Sequence, residues 1–202
     1  LTSTLEQARE LGFLGPGPVG DHLDHSLAFV VAWNSVRSGP PETVLDLGSG
    51  GGVPGLVLAW AWPESDVILL DGSERRVAFL RDAIADLGLP DRVRAVAQRA
   101  EEAGRSALRS TRALVTARGF AGPAVTAECA AALLEPGGIL AVSEPPGGDP
   151  ARWPLEPLAA LGLEVAGTIT QPAAIEVLRL VAPYPAHYPR RVGIPAKRPL
   201  WI

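Results

Sequence analysis

The stretch Leu45-Asp46-Leu47-Gly48-Ser49-Gly50-Gly51-Gly52-Val53-Pro54-Gly55 decides the reading of this 202-residue chain. An apolar run delivers an acid at the end of a buried strand, and a glycine-rich turn leads straight into a helix. Glycines at 48, 50 and 52 open backbone conformations closed to other residues and let a ligand approach without meeting a Cβ. Pro54 suits the first turn of the helix, where its missing N–H is no loss. Free N–H groups at such a helix start favour a carboxylate or phosphate. Working outward, Val67-Ile68-Leu69-Leu70-Asp71 is a second apolar strand ending in an acid, about 20 residues on, where a ribose-binding carboxylate belongs. Together they predict a nucleotide-type cofactor loop.

Two ligand classes compete for that loop. The dinucleotide pattern G-x-G-x-x-G fails when counted from Gly48, because Val53 takes the third glycine position, but fits from Gly50 through Gly52 and Gly55. The register Asp46-x-Gly48-x-Gly50-x-Gly52 also accounts for the acid, and it resembles the first motif of class I S-adenosylmethionine (SAM) methyltransferases. Both classes use Asp71, so the choice rests on the loop and on later motifs. No Lys-Ser or Lys-Thr follows the glycines, which excludes a Walker phosphate loop.

Apolar runs bounded by turn residues predict strands near 43–47, 66–71, 92–97, 112–117, 138–143, 163–169 and 175–182. Helical patterns fall between them. One is capped by Ser73, buries Val77, Leu80, Ile84 and Leu87, and ends at Gly88. Others run from Pro123 to Leu134 and from Ala151 to Leu161. Ahead of the first strand, a helix over Asp21 to Val36 turns Leu23, Leu27, Val30 and Val31 inward and is placed to shield the cleft. Alternating strands and helices imply a parallel sheet covered on both faces. The short loop around Gln171-Pro172 leaves no room for a crossover helix, so one of the last two strands must run antiparallel. The expected fold is an α/β, Rossmann-like class I methyltransferase: seven strands, mostly parallel, one antiparallel. One domain is expected over 1–202, with a helical segment (1–40), the core (41–183) and a Pro/Arg-rich tail (184–202). Ligands in such sheets bind beyond the carboxyl ends of the strands, so the loops after Leu47, Leu70, Ala97, Ala117 and Val142 carry the chemistry.

Composition narrows the setting. The net charge of −4 gives no general affinity for polyanions, so nucleic acid must meet a local patch. Arg190, Arg191, Lys197 and Arg198 form the one evident basic cluster, with prolines expected to hold the tail extended. Lys197 is the only lysine, and 22 Gly and 20 Pro accompany it, a bias read as genomic rather than functional. A single cysteine, Cys129, excludes an intrachain disulfide and suits a reducing cytoplasm. No apolar run predicts a membrane span, and no leader pattern opens the chain. His22 and His25 share a helix face, but without a Cys or carboxylate cluster no metal site is expected.

With the loops located, the chain resembles the bacterial guanine-N7 methyltransferases of small-subunit ribosomal RNA, the glucose-inhibited division protein B family. The matching stretches are Asp46 to Gly55, Leu70-Asp71 with Arg75-Arg76-Val77-x-Phe79-Leu80, Arg99-Ala100-Glu101, Ala117-Arg118-x-Phe120-Ala121, Leu134-x-Pro136-Gly137-Gly138, and the tail Tyr188-Pro189-Arg190-Arg191-x-Gly193-Ile194-Pro195-Ala196-Lys197-Arg198-Pro199-Leu200. The resemblance implies SAM as cofactor, lined by the loop from Asp46 through Gly48, Gly50, Gly52 and Val53. It implies that Asp71, Gly72 and Ser73 hold the ribose, that Ala100 and Glu101 flank the adenine, and that Arg118 sits at the mouth, binding cofactor or positioning substrate. The tail cations would face ribosomal RNA or the small subunit.

Three departures bear on the substrate. Where the family continues its fifth strand with Ala-Leu-Lys-Gly, this chain has Ala141-Val142-Ser143-Glu144, an anion near a family cation. His25 stands where the family's His-x-x-Asp-Ser helix signature has Asp. The segment before that helix is short. These departures keep two other readings open: a small-molecule methyltransferase of the same descent, and a SAM-binding module without turnover. No general base is evident in the sequence, which agrees with guanine N7, whose in-plane lone pair attacks without losing a proton.

Overall fold

Val44, Leu45, Leu47, Val67, Ile68, Leu69 and Leu70 are all buried, so the first two strands are apolar on both faces and require helices on both sides. The computed structural model describes residues 1–202. The chain runs α1 (Thr2–Glu10), α2 (Val19–Asn34), β1 (Thr43–Leu47), α3 (Gly55–Ala61), β2 (Asp66–Asp71), α4 (Glu74–Asp86) and β3 (Val93–Ala97). It continues through α5 (Ala100–Ala103), β4 (Arg112–Ala117), α6 (Pro123–Ala131), β5 (Leu134–Ser143), α7 (Leu155–Ala160), β6 (Leu163–Ile169), β7 (Ile175–Leu180) and α8 (Ile194–Lys197). The strands form one sheet in the order β3-β2-β1-β4-β5-β7-β6. Strands β1 to β5 pair in parallel, and β7 runs antiparallel between β5 and β6. The chain leaves β1 in one direction and returns to β4 on its other side, which opens a crevice above the carboxyl ends of β1 and β4.

Alternate strand residues feed two cores. Val44, Val67 and Leu69 pack with Phe29 and Trp33 of α2, Leu56 of α3 and Leu80 of α4. Leu45, Leu47, Ile68 and Leu70 pack on the opposite face with Ala127 and Ala130 of α6 and Leu158 of α7.

Several sequence expectations shift. In α2 the inner stripe is His22, Ser26, Phe29 and Trp33; of the four residues expected inside, Leu23 and Val30 pack partly buried against the cores, while Leu27 and Val31 are 40% and 43% exposed. The polar members are accommodated because their hydrogen bonds close inside: the Ser26 hydroxyl donates to the His22 carbonyl at 2.7 Å. Strand β5 begins at Leu134 rather than 138, because Arg112 of β4 already pairs there, with a register shift before Leu114. The pattern over Ala151 to Leu161 divides into a 3-10 turn (Pro150–Arg152) and α7, since Pro154 cannot continue a helix and Trp153 is buried between them. Ser73 occupies the cap position of α4 without a side-chain cap bond. Helices α1, α5 and α8 have no counterpart among the helices expected from the pattern.

The tail is not an extended arm. It folds back over α5 and α6, anchored by Glu128 of α6, whose side chain is fully buried. Arg190 donates to Glu128 from its backbone N–H at 2.8 Å and from Nη2 at 2.6 Å. Arg109 Nη1 donates to the Tyr188 carbonyl at 2.9 Å, and Trp201 Nε1 to the Arg152 carbonyl at 2.9 Å.

Two outcomes follow from these contacts. Arg190→Ala strands a buried carboxylate, so denaturant melts should show a loss of about 3–5 kcal/mol; a loss under about 1 kcal/mol would mean the pair behaves as a surface one. The second concerns His25, which docks α2 on the end of β5 through Nε2 and the Ser143 hydroxyl, 2.8 Å apart. Burial foremost, and then the charge of Arg118, push its pKa down from 6.5 to about 4. The folded chain therefore binds fewer protons there than the unfolded chain, and the contribution is complete above 6.5 and lost as pH falls toward 4. Urea melts should show the stability of the protein, relative to His25→Asn, falling as pH drops through that window and flat above it.

Candidate functional site

The glycine loop spans the carboxyl ends of β1 and β2 and is held there by two carboxylates. Asp46, 1% exposed, accepts from Thr116 Oγ1 at 2.9 Å and from the Gly55 N–H at 3.1 Å. Burial raises its pKa from 3.8 to about 6, opposed by those hydrogen bonds and by the Arg118 charge. Asp71 accepts from the Gly50 N–H at 2.9 Å and from the Ser73 N–H at 2.8 Å, with Arg76 Nη1 at 3.7 Å. Gly48 has φ +76°, and a Cβ there would lie 2.8 Å from the Phe120 ring, so both its backbone and its neighbour demand glycine. Gly52, at φ +95°, needs glycine for its backbone as well, and a Cβ there would strike Leu56; Gly55 serves packing, since a Cβ there would strike Leu69 and Asp46.

Two cavities meet at this loop. The first, of about 400 Å³, is lined by Gly48, Asp71, Gly72, Ser73, Ala100, Glu101 and Phe120, with Ala196 of the tail as part of its wall. The second, of about 350 Å³, is lined by Gly48, Gly50, Val53, Arg118, His22 and the segment Phe13-Leu14-Gly15. Gly48, Arg76 and Gly119 belong to both, so the two form one cleft bent around Gly48. Its two ends differ in chemistry. Carboxylates stand at the first, ready to accept from hydroxyl or amino groups through lone pairs their backbone contacts leave free. At the second, Arg118 donates from Nη2 to His22 Nδ1 at 2.7 Å, while its Nη1 is buried without a partner. Burial lowers the pKa of this guanidinium, against the pull of Asp46. A buried donor with nothing to bond is costly, and an anionic ligand in the adjoining cavity would supply the acceptor.

That arrangement suits a SAM-like molecule, whose ribose and adenine donors match one end and whose carboxylate matches the other. Of the residues expected at the cofactor, Gly48, Gly50, Val53, Asp71, Gly72, Ser73, Ala100, Glu101 and Arg118 line the cleft. Asp46 and Gly52 line neither cavity: the acid lies under the loop because its oxygens are needed by Thr116 and Gly55, and Gly52 turns inward to Leu56. Glu101 accepts from the Gly193 N–H of the tail at 2.9 Å through Oε1, and its Oε2 lies 4.0 Å from Arg99 Nε.

The substrate-side expectations change more. Glu144 is 7% exposed and bound by Arg152 Nε at 2.6 Å, so it is a neutralised interior group and not an anion repelling substrate. Of the four tail cations, Arg190 is consumed by Glu128, whereas Arg191, Lys197 and Arg198 are exposed and have no carboxylate partner. The sequence reading gave no role to Arg76, Phe120, or the Phe13 to Gly15 segment, nor did it connect His22 to Arg118. Phe120 and Arg76 lie in the Ala117–Ala121 and Arg75–Leu80 stretches that carry the family resemblance, and so were legible in the sequence. The covering segment carries no local signal, because its position depends on how α1 and α2 pack. No group of three or more His, Cys, Asp or Glu side chains is placed to hold a metal, and no helix is long and apolar enough to cross a membrane.

Known proteins place the chain. Residues 19–143 match the family model for rRNA small subunit methyltransferase G, GidB. The ribosomal RNA small subunit methyltransferase G of Moorella thermoacetica is 34% identical over 185 residues, covering 87% of this chain and 77% of that protein. The protein of the same name from Limosilactobacillus fermentum is 37% identical over 191 residues, covering 89% and 77%. Among solved structures, an RNA methyltransferase from Salinibacter ruber in complex with S-adenosyl-L-homocysteine superposes with a TM-score of 0.57 at 18% identity, over 86% of this chain and 97% of that one. A SAM-dependent O-methyltransferase from Thermotoga maritima gives 0.57 at 15%, over 90% and 72%. The structural likenesses establish the class I methyltransferase fold, and the sequence matches establish the rest: this chain belongs to the rRNA small subunit methyltransferase G (GidB) family.

Proposed function

We propose that this chain is a cytoplasmic SAM-dependent methyltransferase that modifies N7 of a guanine in small-subunit ribosomal RNA. The observation that carries the reading is the bent cleft, with carboxylates lining one end and the Arg118 guanidinium lining the other. When bound, SAM supplies a methyl group activated by its sulfonium. Asp71, with the backbone at Gly72 and Ser73, holds the ribose, and Glu101 with Ala100 holds the adenine. Gly48, Gly50 and Val53 border the remainder, and Arg118 takes an anionic group. The N7 lone pair of guanine forms the bond to the methyl carbon as the carbon–sulfur pair returns to sulfur, and no proton leaves the attacking atom. The protein's task is then alignment and exclusion of water rather than proton transfer. The pairing of buried Glu144 with Arg152 supports the RNA reading, because that residue presents no free anion to the substrate.

RNA is held by Arg191, Lys197 and Arg198, the exposed cations of the tail. Arg190 is a structural member of that cluster.

Labelled SAM offered with small ribosomal subunits, naked ribosomal RNA or a small-molecule extract tests the reading. Transfer yielding 7-methylguanosine in the RNA is expected, and transfer confined to the extract, or none, would overturn it. Asp71→Ala should cost about 1.5–3 kcal/mol of S-adenosylhomocysteine affinity by calorimetry, the worth of hydrogen bonds to a charged group; unchanged affinity would remove Asp71 from the cofactor site. RNA binding should weaken with salt with a log–log slope of roughly −0.7 per phosphate neutralised on a single strand. Replacing Arg191, Lys197 and Arg198 with Gln should flatten that slope, and an unaltered slope would move the RNA to another face.

A further inference from the structure

Methyl transfer, as argued above, assigns nothing to His22, yet its ring is 5% exposed and bonded at both nitrogens. Arg118 Nη2 lies 2.7 Å from Nδ1, and a guanidinium has only protons to offer, so Nδ1 presents its lone pair. Nε2 lies 3.2 Å from the Gly15 carbonyl oxygen, which only accepts, so Nε2 carries the proton. The two partners together select one neutral tautomer. The other tautomer sets proton against proton at Arg118 and lone pair against lone pair at Gly15. An imidazolium would set a second cation against the guanidinium.

This contact divides Arg118 in two. Nη2 is engaged by His22 and Nη1 is buried without a partner, in a side chain that lines the second cavity together with Ser49 and Gly50. A guanidinium fixed at one nitrogen presents the other in one direction, at less cost in rotamer freedom when a ligand binds. The same ring ties down Gly15, and the two residues before it cover the glycine loop: a Cβ on Gly51 would lie 2.7 Å from Leu14 and 3.0 Å from the Phe13 carbonyl. Phe13 is itself held edge-on against Phe79, with the Arg75 guanidinium over its ring.

We infer that His22 is the positioning residue of Arg118: locked as the neutral Nε2–H tautomer, it orients the guanidinium for the bound anion and joins that orientation to closure of residues 13–15 over the loop. The inference rests on the methyl-transfer reading for its consequence in turnover. The tautomer and the coupling to Arg118 are independent of it.

Two substitutions separate the two ends of the ring. His22→Asn keeps an acceptor near the Nδ1 position, and His22→Gln keeps a donor near the Nε2 position. Nitrogen NMR of histidine-labelled protein at neutral pH should show a lone-pair Nδ1 and a protonated Nε2 for the signal that His22→Asn removes. His22→Gln should lower methyl transfer or S-adenosylhomocysteine affinity by roughly tenfold or more, as for one hydrogen bond to a charged group, with melts showing a folded protein. His22→Asn should recover most of that loss. In an Arg118→Ala background His22→Gln should cost nothing further, because the group it positions is gone. A proton on Nδ1, or additive losses in the double variant, would overturn the inference. If methyl transfer to RNA is absent while the tautomer and the non-additive ligand affinities hold, the RNA reading fails and the role of His22 stands.

Discussion

Two carboxylates buried at neighbouring strand ends hold the glycine loop, and the rest of the site is arranged around that clamp. Asp46 bonds the loop's far end through the Gly55 N–H, and Asp71 bonds its middle through the Gly50 N–H. A glycine-rich loop loses more conformational entropy on ordering than any other, so some fixed acceptor must hold it open to ligand. Asp46 performs this at a cost visible in its pKa, raised to about 6 by burial. Removing its acceptor would leave the Gly55 N–H and the Thr116 hydroxyl unsatisfied in the interior. The sheet supplies the other half of the constraint: only at the β1/β4 switch do adjacent loops diverge enough to admit a ligand between them.

The two ends of the chain finish what the sheet begins. Residues 13–15 cover the glycine-loop half of the cleft, and the C-terminal segment walls the other half through Ala196 and the Gly193 N–H on Glu101. Neither end is held by apolar packing alone. His22 secures the first through a neutral ring, and the buried Glu128–Arg190 pair secures the second. Polar anchors of this kind fix geometry more narrowly than apolar contact, because a hydrogen bond is directional. The cleft is thus assembled from segments more than a hundred residues apart in sequence, positioned by a handful of directional bonds.

Charge is sorted by the same folding. The chain is net negative, yet the tail presents Arg191, Lys197 and Arg198 without carboxylate partners while Arg190 turns inward. Beside that tail, where Trp201 bonds the Arg152 carbonyl, Glu144 and Arg152 cancel each other. A protein of acidic balance can therefore still offer a polyanion one local surface, which is what an RNA substrate requires of it. Two stretches that carry departures noted in the sequence also meet in space: His25 of α2 and Ser143 of β5 bond directly.

Much was legible without coordinates, for reasons that are local. Strand alternation, the glycine spacing after Asp46, the acid closing β2, and the short turn before β7 each depend on neighbours a few residues away, so pattern alone determined the sheet, its antiparallel strand and the cofactor loop. The inner stripe of α2 was misread because hydrophobicity pointed to Leu27 and Val31, whereas the buried face holds His22 and Ser26, whose polarity is satisfied only by partners the fold brings to them. The break before α7, the early start of β5 and the fate of Arg190 and Glu144 were likewise set by residues distant in sequence. Composition and periodicity report whether a side chain prefers water or the interior. Which buried polar group finds which partner is a question of three-dimensional register, and only the tertiary structure decided it.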